Sequence, residues 1–379
     1  MIWFGFGFNA FGQIYSYARS GKESTSDEDV EVKVIAPVRL SSCCPDGEKR
    51  LQLVGASWSR TAFLQCAGDS SVCLSGFWSD PPSRKAHSCF PQSYGCWDAQ
   101  VSERYLTLAF KDRTECWSLD EIDSMPVWRM KHAPENTELS DRLPLVPGGY
   151  VVSAPPFLHV LSPHLCGVSL ALGMEHAVLL SASGTVYTWG SSSGYVGSHG
   201  QLGHGELGRE VEPRVVEGLW GMTMKGVAAG GWHSVCISGE GDLYTWGWNE
   251  SGQLGLPSHT IGRGTLQGGT AAGTESDRKE VFISIQAFPA LLDLPEEAEV
   301  TRVSCGSRHT AALTGAGDLF TWGWGEYGQL GHKTTQTLDQ PTRVDFFADR
   351  SLRVVDVVCG PWNTFVCTEE KDSTPQIPP

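Results

Sequence analysis

The stretch that decides the fold reads Val227-Ala-Ala-Gly-Gly-Trp-His-Ser-Val-Cys-Ile237 and then Gly241-Asp-Leu-Tyr-Thr-Trp-Gly-Trp-Asn-Glu-Ser-Gly-Gln-Leu-Gly255. The same pattern returns from Leu170 and from Val303, and in all three copies 13 residues separate the histidine from the following tryptophan. Chance does not preserve such an interval with so many matching neighbours. A unit of this length, repeated along a chain, is typical of propellers and solenoids.

Each copy predicts two strands joined by a glycine-containing hairpin, followed by a glycine-rich loop that ends in Gly-Gln-Leu-Gly. One copy cannot bury both faces of its small sheet, whereas sheets packed radially around an axis bury one another. The 44 glycines and 14 tryptophans suit tight turns between aromatic-rich strands, and we expect very little helix. The pattern therefore predicts an all-β fold, a single β-propeller.

The two ends of the chain carry complementary halves of one repeat. Phe6-Gly-Phe-Asn-Ala-Phe-Gly-Gln-Ile14 matches the second half of the unit, and Val358-Cys-Gly-Pro-Trp-Asn-Thr-Phe-Val366 matches the first half. We therefore expect the N- and C-termini to share one blade and to close the ring noncovalently.

The repeat decays between Gln13 and Leu170. Arg60 stands where the clear copies have histidine, and a weaker trace puts Arg104 and Trp117 at the same 13-residue interval. Anchors near positions 60, 104, 176, 233, 309 and 363 give six blades, and a seventh fits between Ser118 and Cys166. We predict a propeller over residues 1–368, with degenerate blades at 54–165, clear repeats at 170–368, a flexible insertion at 258–280 and a disordered tail at 369–379.

Acidic side chains dominate the charge balance: 43 aspartates and glutamates oppose 28 lysines and arginines, for a formal net charge of −15. Nucleic-acid affinity comes largely from cationic side chains that neutralise phosphates, so we expect no direct sequence-specific nucleic-acid binding. A basic partner such as a histone tail fits this balance better. The alternative is an acidic surface that only keeps the protein in solution.

The cysteines and the apolar segments bear on the cellular compartment. Twelve cysteines are dispersed along the chain, several of them within apolar strand patterns, which indicates buried thiols and a reducing environment. No run reaches the roughly 18 apolar residues that a membrane span requires. The apolar first residues lack the basic start of a signal peptide. We expect a soluble, intracellular protein with no membrane partner.

The elements Gly-x-x-His-[Ser/Thr], Gly-x-[Leu/Val]-[Tyr/Phe]-Thr-Trp-Gly and Gly-Gln-Leu-Gly resemble the regulator of chromosome condensation repeat family. The resemblance covers residues 170–368 and the N-terminus, and it implies a propeller, usually of seven blades. Degenerate N-terminal repeats before clear C-terminal ones resemble one small vertebrate branch of the family. That likeness implies a non-catalytic protein of the nucleus and chromosome, with the cytoplasm as a second location.

The resemblance also implies partners. For this branch it implies an adaptor or partner of a jumonji-C oxygenase or demethylase, which affects histone methylation, transcriptional repression and chromosome segregation in mitosis. Histones or the nucleosome are a further partner. The alternative is a guanine-nucleotide exchange factor for a small GTPase, the founding activity of the family. Scaffolding in the ubiquitin pathway or the cytoskeleton is a third interpretation.

The conspicuous histidines and tryptophans are explained by the repeat. There is no Gly-x-Ser-x-Gly elbow, no phosphate-binding loop and no His-Glu-x-x-His helix, and we expect no catalytic residue, cofactor or metal. One histidine in each clear repeat predicts a structural role, donating to a neighbouring backbone carbonyl. One tryptophan in each predicts a core wedge whose indole N–H needs a partner. These residues are His176, His233, His309, Trp189, Trp246 and Trp322.

Two groups of residues are candidates for partner contact. Trp248, Asn249 and Trp324 lie beyond the strand-ending glycine, where the loops of a propeller emerge, and a turn role is the alternative. The segment Ser140-Asp-Arg-Leu-Pro-Leu-Val-Pro-Gly-Gly149 contains two prolines that impose extended backbone. We hypothesise that it presents Arg142, with Leu143 and Pro144, to the active site of a jumonji-type oxygenase. The alternative is a linker between degenerate blades.

Overall fold

The computed structural model describes residues 1–14, 31–40, 50–66, 70–77, 87–120, 125–132, 142–190, 199–258 and 281–371. Within these ranges the chain forms strands β1 to β27, in seven antiparallel sheets. The helical part of the same ranges is one short α-helix, α1 (Asp345–Ala348), and four 3₁₀ turns: Pro91–Ser93, Pro163–Leu165, Glu217–Leu219 and Pro295–Glu297. The predicted all-β propeller is confirmed, with seven blades.

Blade 1 closes the ring. Its sheet has the order β2-β1-β27-β26, so that the N-terminal strand lies between two strands from opposite ends of the chain. Ile2 pairs with Thr368 and Gly7 with Asn363. The predicted sharing of one blade by both termini is therefore confirmed. The four strands are β1 (Ile2–Phe8), β2 (Lys33–Arg39), β26 (Leu352–Cys359) and β27 (Asn363–Glu370).

Blades 5, 6 and 7 correspond to the three clear repeats, and each is a four-stranded meander in chain order. Blade 5 contains β14 (Gly167–Leu172), β15 (His176–Ser181), β16 (Val186–Gly190) and β17 (Glu210–Val215). Blade 6 contains β18 (Met224–Ala229), β19 (His233–Ser238), β20 (Leu243–Trp248) and β21 (Ile285–Leu292). Blade 7 contains β22 (Val300–Cys305), β23 (His309–Thr314), β24 (Leu319–Gly323) and β25 (Leu338–Arg343).

Blades 2, 3 and 4 form from the degenerate part of the chain. Blade 2 contains β3 (Arg50–Ala56), β4 (Arg60–Cys66), β5 (Ser71–Gly76) and β6 (His87–Cys89). Blade 3 contains β7 (Asp98–Val101), β8 (Tyr105–Ala109), β9 (Arg113–Ser118) and β10 (Trp128–Lys131). Blade 4 has three strands in the described residues, β11 (Leu145–Val146), β12 (Gly149–Val151) and β13 (Leu158–Val160), within the interval expected to hold a seventh blade.

The second strand of each clear blade is buried along its whole length. All six residues of β15, β19 and β23 are buried, because neighbouring blades cover both faces of each sheet. These strands therefore read as nearly continuous apolar runs instead of alternating ones. Val235 and Ile237 of blade 6 pack against Phe320 and Trp322 of blade 7, so the core lies between blades as well as within them.

The last position of Gly-Gln-Leu-Gly requires glycine for two reasons: its backbone has a positive φ, and a side chain of the next blade lies against it. Gly203 has a φ of +77°, and a Cβ there would come within 2.8 Å of the indole nitrogen of Trp246 in the next blade. Gly255 has a φ of +76°, and a Cβ there would lie 2.7 Å from the Leu292 side chain and 3.3 Å from the indole nitrogen of Trp322. The motif thus fixes the distance between consecutive blades.

Two predicted boundaries, those of the C-terminal tail and of the insertion, can be compared with the described residues. The tail predicted from 369 begins too early, because Glu369 and Glu370 still pair with Arg353 and Leu352 in blade 1. The insertion predicted at 258–280 lies outside the described residues except for Ser258. That residue is buried and donates its N–H to the Asp339 carboxylate at 2.8 Å.

Candidate functional site

The centre of one face of the ring is an open mouth lined by short loops. In six blades these loops have three residues and join the first strand to the second, for example Gly173–Glu175 in blade 5 and Gly306–Arg308 in blade 7. In blade 4 the mouth is lined by Ser153, Ala154 and Pro155. The loops enclose a cavity of about 630 Å³.

Backbone hydrogen bonds join these loops from blade to blade. The N–H of Met174 donates to the Gly231 carbonyl at 3.3 Å, and the N–H of Gly231 to Ser307 at 3.2 Å. The N–H of Ser307 donates to the Pro361 carbonyl at 3.0 Å. The mouth therefore has a hydrogen-bonded rim across blades 5, 6, 7 and 1, which holds the loops in fixed positions.

The repeat histidines sit just below this rim and connect neighbouring blades. His233 Nε2 lies 2.9 Å from the Thr310 hydroxyl of blade 7, and that hydroxyl donates to the Gln253 carbonyl at 2.8 Å. Because the hydroxyl proton goes to the carbonyl, the imidazole must donate from Nε2. Equivalent relays are His176 to Ser234 to Gln201, and His309 to Thr364 to Gln329. The histidine therefore donates to a hydroxyl and not, as we expected, to a backbone carbonyl. The carbonyl is bound by the hydroxyl instead.

Burial keeps these histidines neutral. It lowers the pKa of His176 to about 4 and those of His233 and His309 to about 3. A buried neutral imidazole whose N–H already donates to the next blade has a structural role. Within the described ranges, no group of three histidine, cysteine or acidic side chains is placed to hold a metal ion.

The repeat tryptophans are core residues with satisfied indoles. Trp246 Nε1 donates to the Gln201 carbonyl at 2.9 Å, and Trp322 Nε1 to the Gln253 carbonyl at 3.0 Å. Trp189 donates instead to the Tyr150 hydroxyl at 3.1 Å, since blade 4 lacks the Gly-Gln-Leu-Gly loop. Each tryptophan therefore links its blade to the preceding one.

Around the mouth runs a set of aromatic side chains that we call the aromatic belt, of which Phe8 is buried and the others are partly exposed: Phe8, Phe11, Trp58, Phe77, Trp232, Trp248, Trp324, Tyr327 and Trp362. Trp248 and Trp324 each follow directly after the glycine near the end of the third strand of their blade. The N–H of Trp248 donates to the Trp232 carbonyl at 2.9 Å, and the N–H of Trp324 to the Arg308 carbonyl at 2.8 Å. This bond turns the residue back over the mouth loop of its own blade.

One half of the aromatic belt lies on blade 6, between side chains of blades 5 and 7. The rings of Trp232 and Trp248 meet edge to face with centroids 5.4 Å apart, and His199 stacks on Trp248 at 5.4 Å. The Arg308 guanidinium lies over the Trp248 ring at 4.5 Å. Glu175 accepts a hydrogen bond from Trp232 Nε1 at 3.2 Å. Cationic and acidic groups thus alternate with the rings.

The other half spans blades 7, 1 and 2. Trp324 packs edge to face on Trp362 at 4.8 Å and on Tyr327 at 4.9 Å. Tyr327 contacts Phe8 at 4.9 Å, and Phe8 stacks on Trp58 at 6.3 Å. Phe11 and Phe77 continue the row. Half of Trp58 and 45% of Phe77 are exposed, so the row ends in accessible aromatic surface.

Arg60, which replaces the repeat histidine in blade 2, anchors this end of the aromatic belt. Its side chain is 3% exposed, its Nε donates to the Phe77 carbonyl at 3.1 Å, and its guanidinium lies 3.8 Å from the Asp120 carboxylate. Glu103 accepts hydrogen bonds from the hydroxyl and N–H of Ser59. Burial opposes ionisation of Glu103, but these bonds and one from Ser57 leave its pKa below its usual value.

The predicted contact residues of the loops take different positions. Trp248 and Trp324 are half-buried members of the aromatic belt. Asn249 is fully buried, and its Nδ2 donates to the Leu256 and Ile283 carbonyls, both at 2.9 Å. Asn249 therefore orders the loop, and Trp248 is the member of the pair that faces outward. Sequence reasoning missed Trp232 and Trp362, although both directly precede the anchor position of their repeat.

Arg142 is exposed, while Leu143 is half-buried and Pro144 is buried. The N–H of Leu143 donates to the Asp98 carboxylate at 3.0 Å. Burial raises the pKa of Asp98 on β7 and of Asp356 on β26, and the charge of Arg142 opposes the rise in both. Arg142 therefore acts electrostatically on the innermost strands of two different blades.

These observations define a class: a seven-bladed β-propeller with a hydrogen-bonded mouth and a partly exposed aromatic surface around it. The regulator of chromosome condensation (RCC1) repeat model matches residues 183–237, 240–313 and 316–367, and the chain belongs to the RCC1-repeat family. It is 41% identical over 403 residues to RCC1 domain-containing protein 1 of Homo sapiens, with 97% of each chain covered. The Mus musculus protein of the same name is 40% identical, with 98% of each covered.

Solved structures agree on the fold. Yeast RCC1 (Prp20), solved with Kap60, superposes with a TM-score of 0.69 at 16% identity, covering 97% of this chain and 89% of that one. Prp20p from Saccharomyces cerevisiae gives 0.66 at 15% identity, covering 97% and 91%. In the part of the chain that the structure describes, no helix is long and apolar enough to span a membrane.

Proposed function

We propose that this protein is a non-catalytic, chromatin-associated interaction protein that binds a partner protein through the aromatic belt. The single observation that carries the proposal is the aromatic belt itself, whose rings lie on blades 6, 7, 1 and 2, with the Arg308 guanidinium over Trp248 between its two halves. Tryptophan, tyrosine and arginine dominate the energetics of protein interfaces, and the two aromatic residues supply large area at low entropic cost. Rings held by fixed backbone bonds are ordered before the partner arrives, which lowers the cost of binding.

Association with chromatin rests on family membership and charge. Prp20p, which shares the fold, was characterised together with its binding to Gsp1p and histones. The net charge of −15 favours a basic partner, and histone tails have that character. Residence in the nucleus follows from the same proposal.

The finer proposal is an adaptor for a jumonji-C oxygenase that influences histone methylation, transcriptional repression and chromosome segregation. Its residue-level support is Arg142, whose side chain is exposed while the following two residues are held by Asp98 and by the Val151 N–H. An exposed arginine on an anchored backbone suits recognition by another protein. The aromatic belt and Arg142 are separate features, and they are tested separately.

The experiment is a pull-down of the tagged protein from nuclear extract at moderate salt, with identification of stoichiometric companions. Core histones and a jumonji-C oxygenase are expected. The double variant Trp248→Ser and Trp324→Ser loses the partner that uses the aromatic belt, whereas Arg142→Ala weakens recovery of the oxygenase. The matched control is Tyr94→Ser, an exposed aromatic residue outside the belt. Unchanged recovery in the double variant refutes the belt as the docking surface.

The competing function is nucleotide exchange on a small GTPase. A release assay with a labelled guanine nucleotide separates the two, because an exchange factor accelerates release at catalytic concentration and an adaptor does not. Melting temperatures of the Trp248 and Trp324 variants complete the test. A large loss would assign these residues to the core and remove them from the proposed contact surface.

A further inference from the structure

A second apolar surface lies on the outer edge of blades 5 and 6 and extends away from the aromatic belt, which it meets where Ile285 pairs with Trp248. We call it the outer-rim patch, and it consists of Leu207, Val211, Trp220, Ile285, Phe288 and Leu291. Trp220 is 68% exposed, Val211 64% and Phe288 56%. Contiguous apolar surface on a folded chain marks an interaction site more often than single exposed residues do.

The outer-rim patch is continuous because the two blades are locked together there. The N–H of Gly205 donates to the Ala287 carbonyl at 2.9 Å, and the Phe288 ring lies directly against Gly205. Gly218, two residues before Trp220, packs against Pro289, where a Cβ would meet the proline ring at 3.0 Å. These contacts place the loop before β17 and the turn after it against β21.

The charges around the outer-rim patch favour a basic partner. The blade 5 segment that borders it carries four acidic side chains against two arginines: Glu206, Glu210, Glu212 and Glu217 against Arg209 and Arg214. Arg214 is bound to Glu210 at 2.6 Å, which leaves the acids in excess. Asp293, exposed after β21, adds a further negative charge. Lysine or arginine beside an apolar stripe complements this arrangement.

The backbone of β21 is poorly suited to pairing with an added strand of a partner, so we consider a helix. At this edge the carbonyls of Ala287 and Phe288 already accept hydrogen bonds from Gly205 N–H and from Gln286 Nε2, and Pro289 has no N–H to donate. A partner must therefore dock through side chains. The apolar row from Ile285 to Leu291 is about 20 Å long at the rise of a strand, which about 13 residues of α-helix span.

We propose that the outer-rim patch is a docking site for a basic amphipathic helix of another protein. Leucine-type side chains of that helix lie against Phe288 and Trp220, and its lysines or arginines face the blade 5 glutamates. This mode of recognition, a helix placing its apolar face on an apolar surface, needs no change in the propeller. Ile285 borders the aromatic belt through its pairing with Trp248, whereas Phe288 and Trp220 are not belt residues.

The test uses a synthetic amidated helix of about 14 residues, with leucine on one face and lysine on the other. Binding to the full chain is followed by tryptophan fluorescence and anisotropy. We expect saturable binding that weakens with salt and falls about tenfold in Trp220→Ser and in Phe288→Ser. A glutamate version of the peptide is expected not to bind. The matched control is Tyr94→Ser, an exposed aromatic residue outside the patch and the belt, which leaves binding unchanged.

Several results would overturn the proposal. Equal binding of the lysine and glutamate peptides, or unchanged binding in both patch variants, excludes this site. Two further measurements identify other occupants. A concentration-dependent dimer in sedimentation that Trp220→Ser abolishes assigns the surface to a second copy of the chain. Binding to anionic vesicles that the same variant abolishes, without peptide binding, assigns it to a lipid surface. Circular dichroism verifies that each variant is folded.

Discussion

The relay between His233, Thr310 and Gln253 makes a sharp prediction for Thr310→Val. Valine keeps the shape of threonine, so no cavity forms, but the fully buried His233 Nε2–H loses its acceptor and the Gln253 carbonyl keeps only the bond from Trp322. An orphaned buried donor costs about 1–3 kcal/mol, and the lost hydroxyl bond adds about 1 kcal/mol. We expect a free energy of unfolding lower by about 2–4 kcal/mol.

The assay is urea unfolding followed by circular dichroism, with thermal melting alongside it. An unfolding entropy of about 2.1 cal/mol/K per residue, over 379 residues, converts this loss into a fall in Tm of about 3–5 °C. The matched control is Thr342→Val on β25, whose hydroxyl is exposed and bonds locally to Gln340; a change within about 0.5 kcal/mol is expected there. If Thr310→Val is as mild as Thr342→Val, the relay does not contribute to stability and the reasoning is refuted.

Two further predictions follow from the repeat. Because the pKa values of the three repeat histidines are about 3 to 4 in the folded protein, the unfolded chain binds more protons below about pH 6.5, and stability falls as pH is lowered from there until the folded pKa values are reached. At pH 5.5 each of these three histidines costs about 1.4 kcal/mol. His309→Asn, which copies the natural Asn363 of blade 1, is expected to remove one third of the contribution of these three histidines to the loss of stability between pH 7.5 and 5.5. An unchanged dependence of stability on pH contradicts this prediction. Gly203→Ala is expected to lower the free energy of unfolding by more than about 2 kcal/mol in the same urea assay, because of the positive φ and the close approach to Trp246. The control is Gly208→Ala, which has open space around it and is expected to be neutral. Equal effects of the two substitutions would contradict the argument that Gly203 fixes the distance between blades.

The clear repeats were predictable because their geometry depends on local sequence. The histidine relay to the next blade is the same in all three clear blades, and Trp246 and Trp322 share one pattern of indole hydrogen bond, so much of their packing follows from local sequence. Blade 4 was located only by the gap it had to fill, since strands of two and three residues carry too little periodicity to be recognised. Its Tyr150 accepts the indole hydrogen bond of Trp189 in place of a backbone carbonyl, and no sequence motif predicts this change.

The candidate site was harder to predict for a different reason. Trp248 and Trp324 were found from their place after a glycine, but the aromatic belt joins residues from several repeats, such as Phe11 with Phe77 and Trp324 with Trp362. These contacts depend on how blades meet. Likewise, Asn249 beside Trp248 reads as an exposed loop residue until its buried hydrogen bonds are seen.

The interlocked blade 1 also sets the order in which the protein matures on the ribosome. Strand β1, with its apolar sequence Ile2-Trp-Phe-Gly-Phe-Gly-Phe8, is synthesised early, yet its partner β27 lies more than 350 residues later, as the hydrogen bond from Asn363 to Phe8 shows. Contacts so distant in sequence form late. Until translation reaches β27, a nascent chain carries an unpaired aromatic strand edge, which calls for chaperone protection during synthesis.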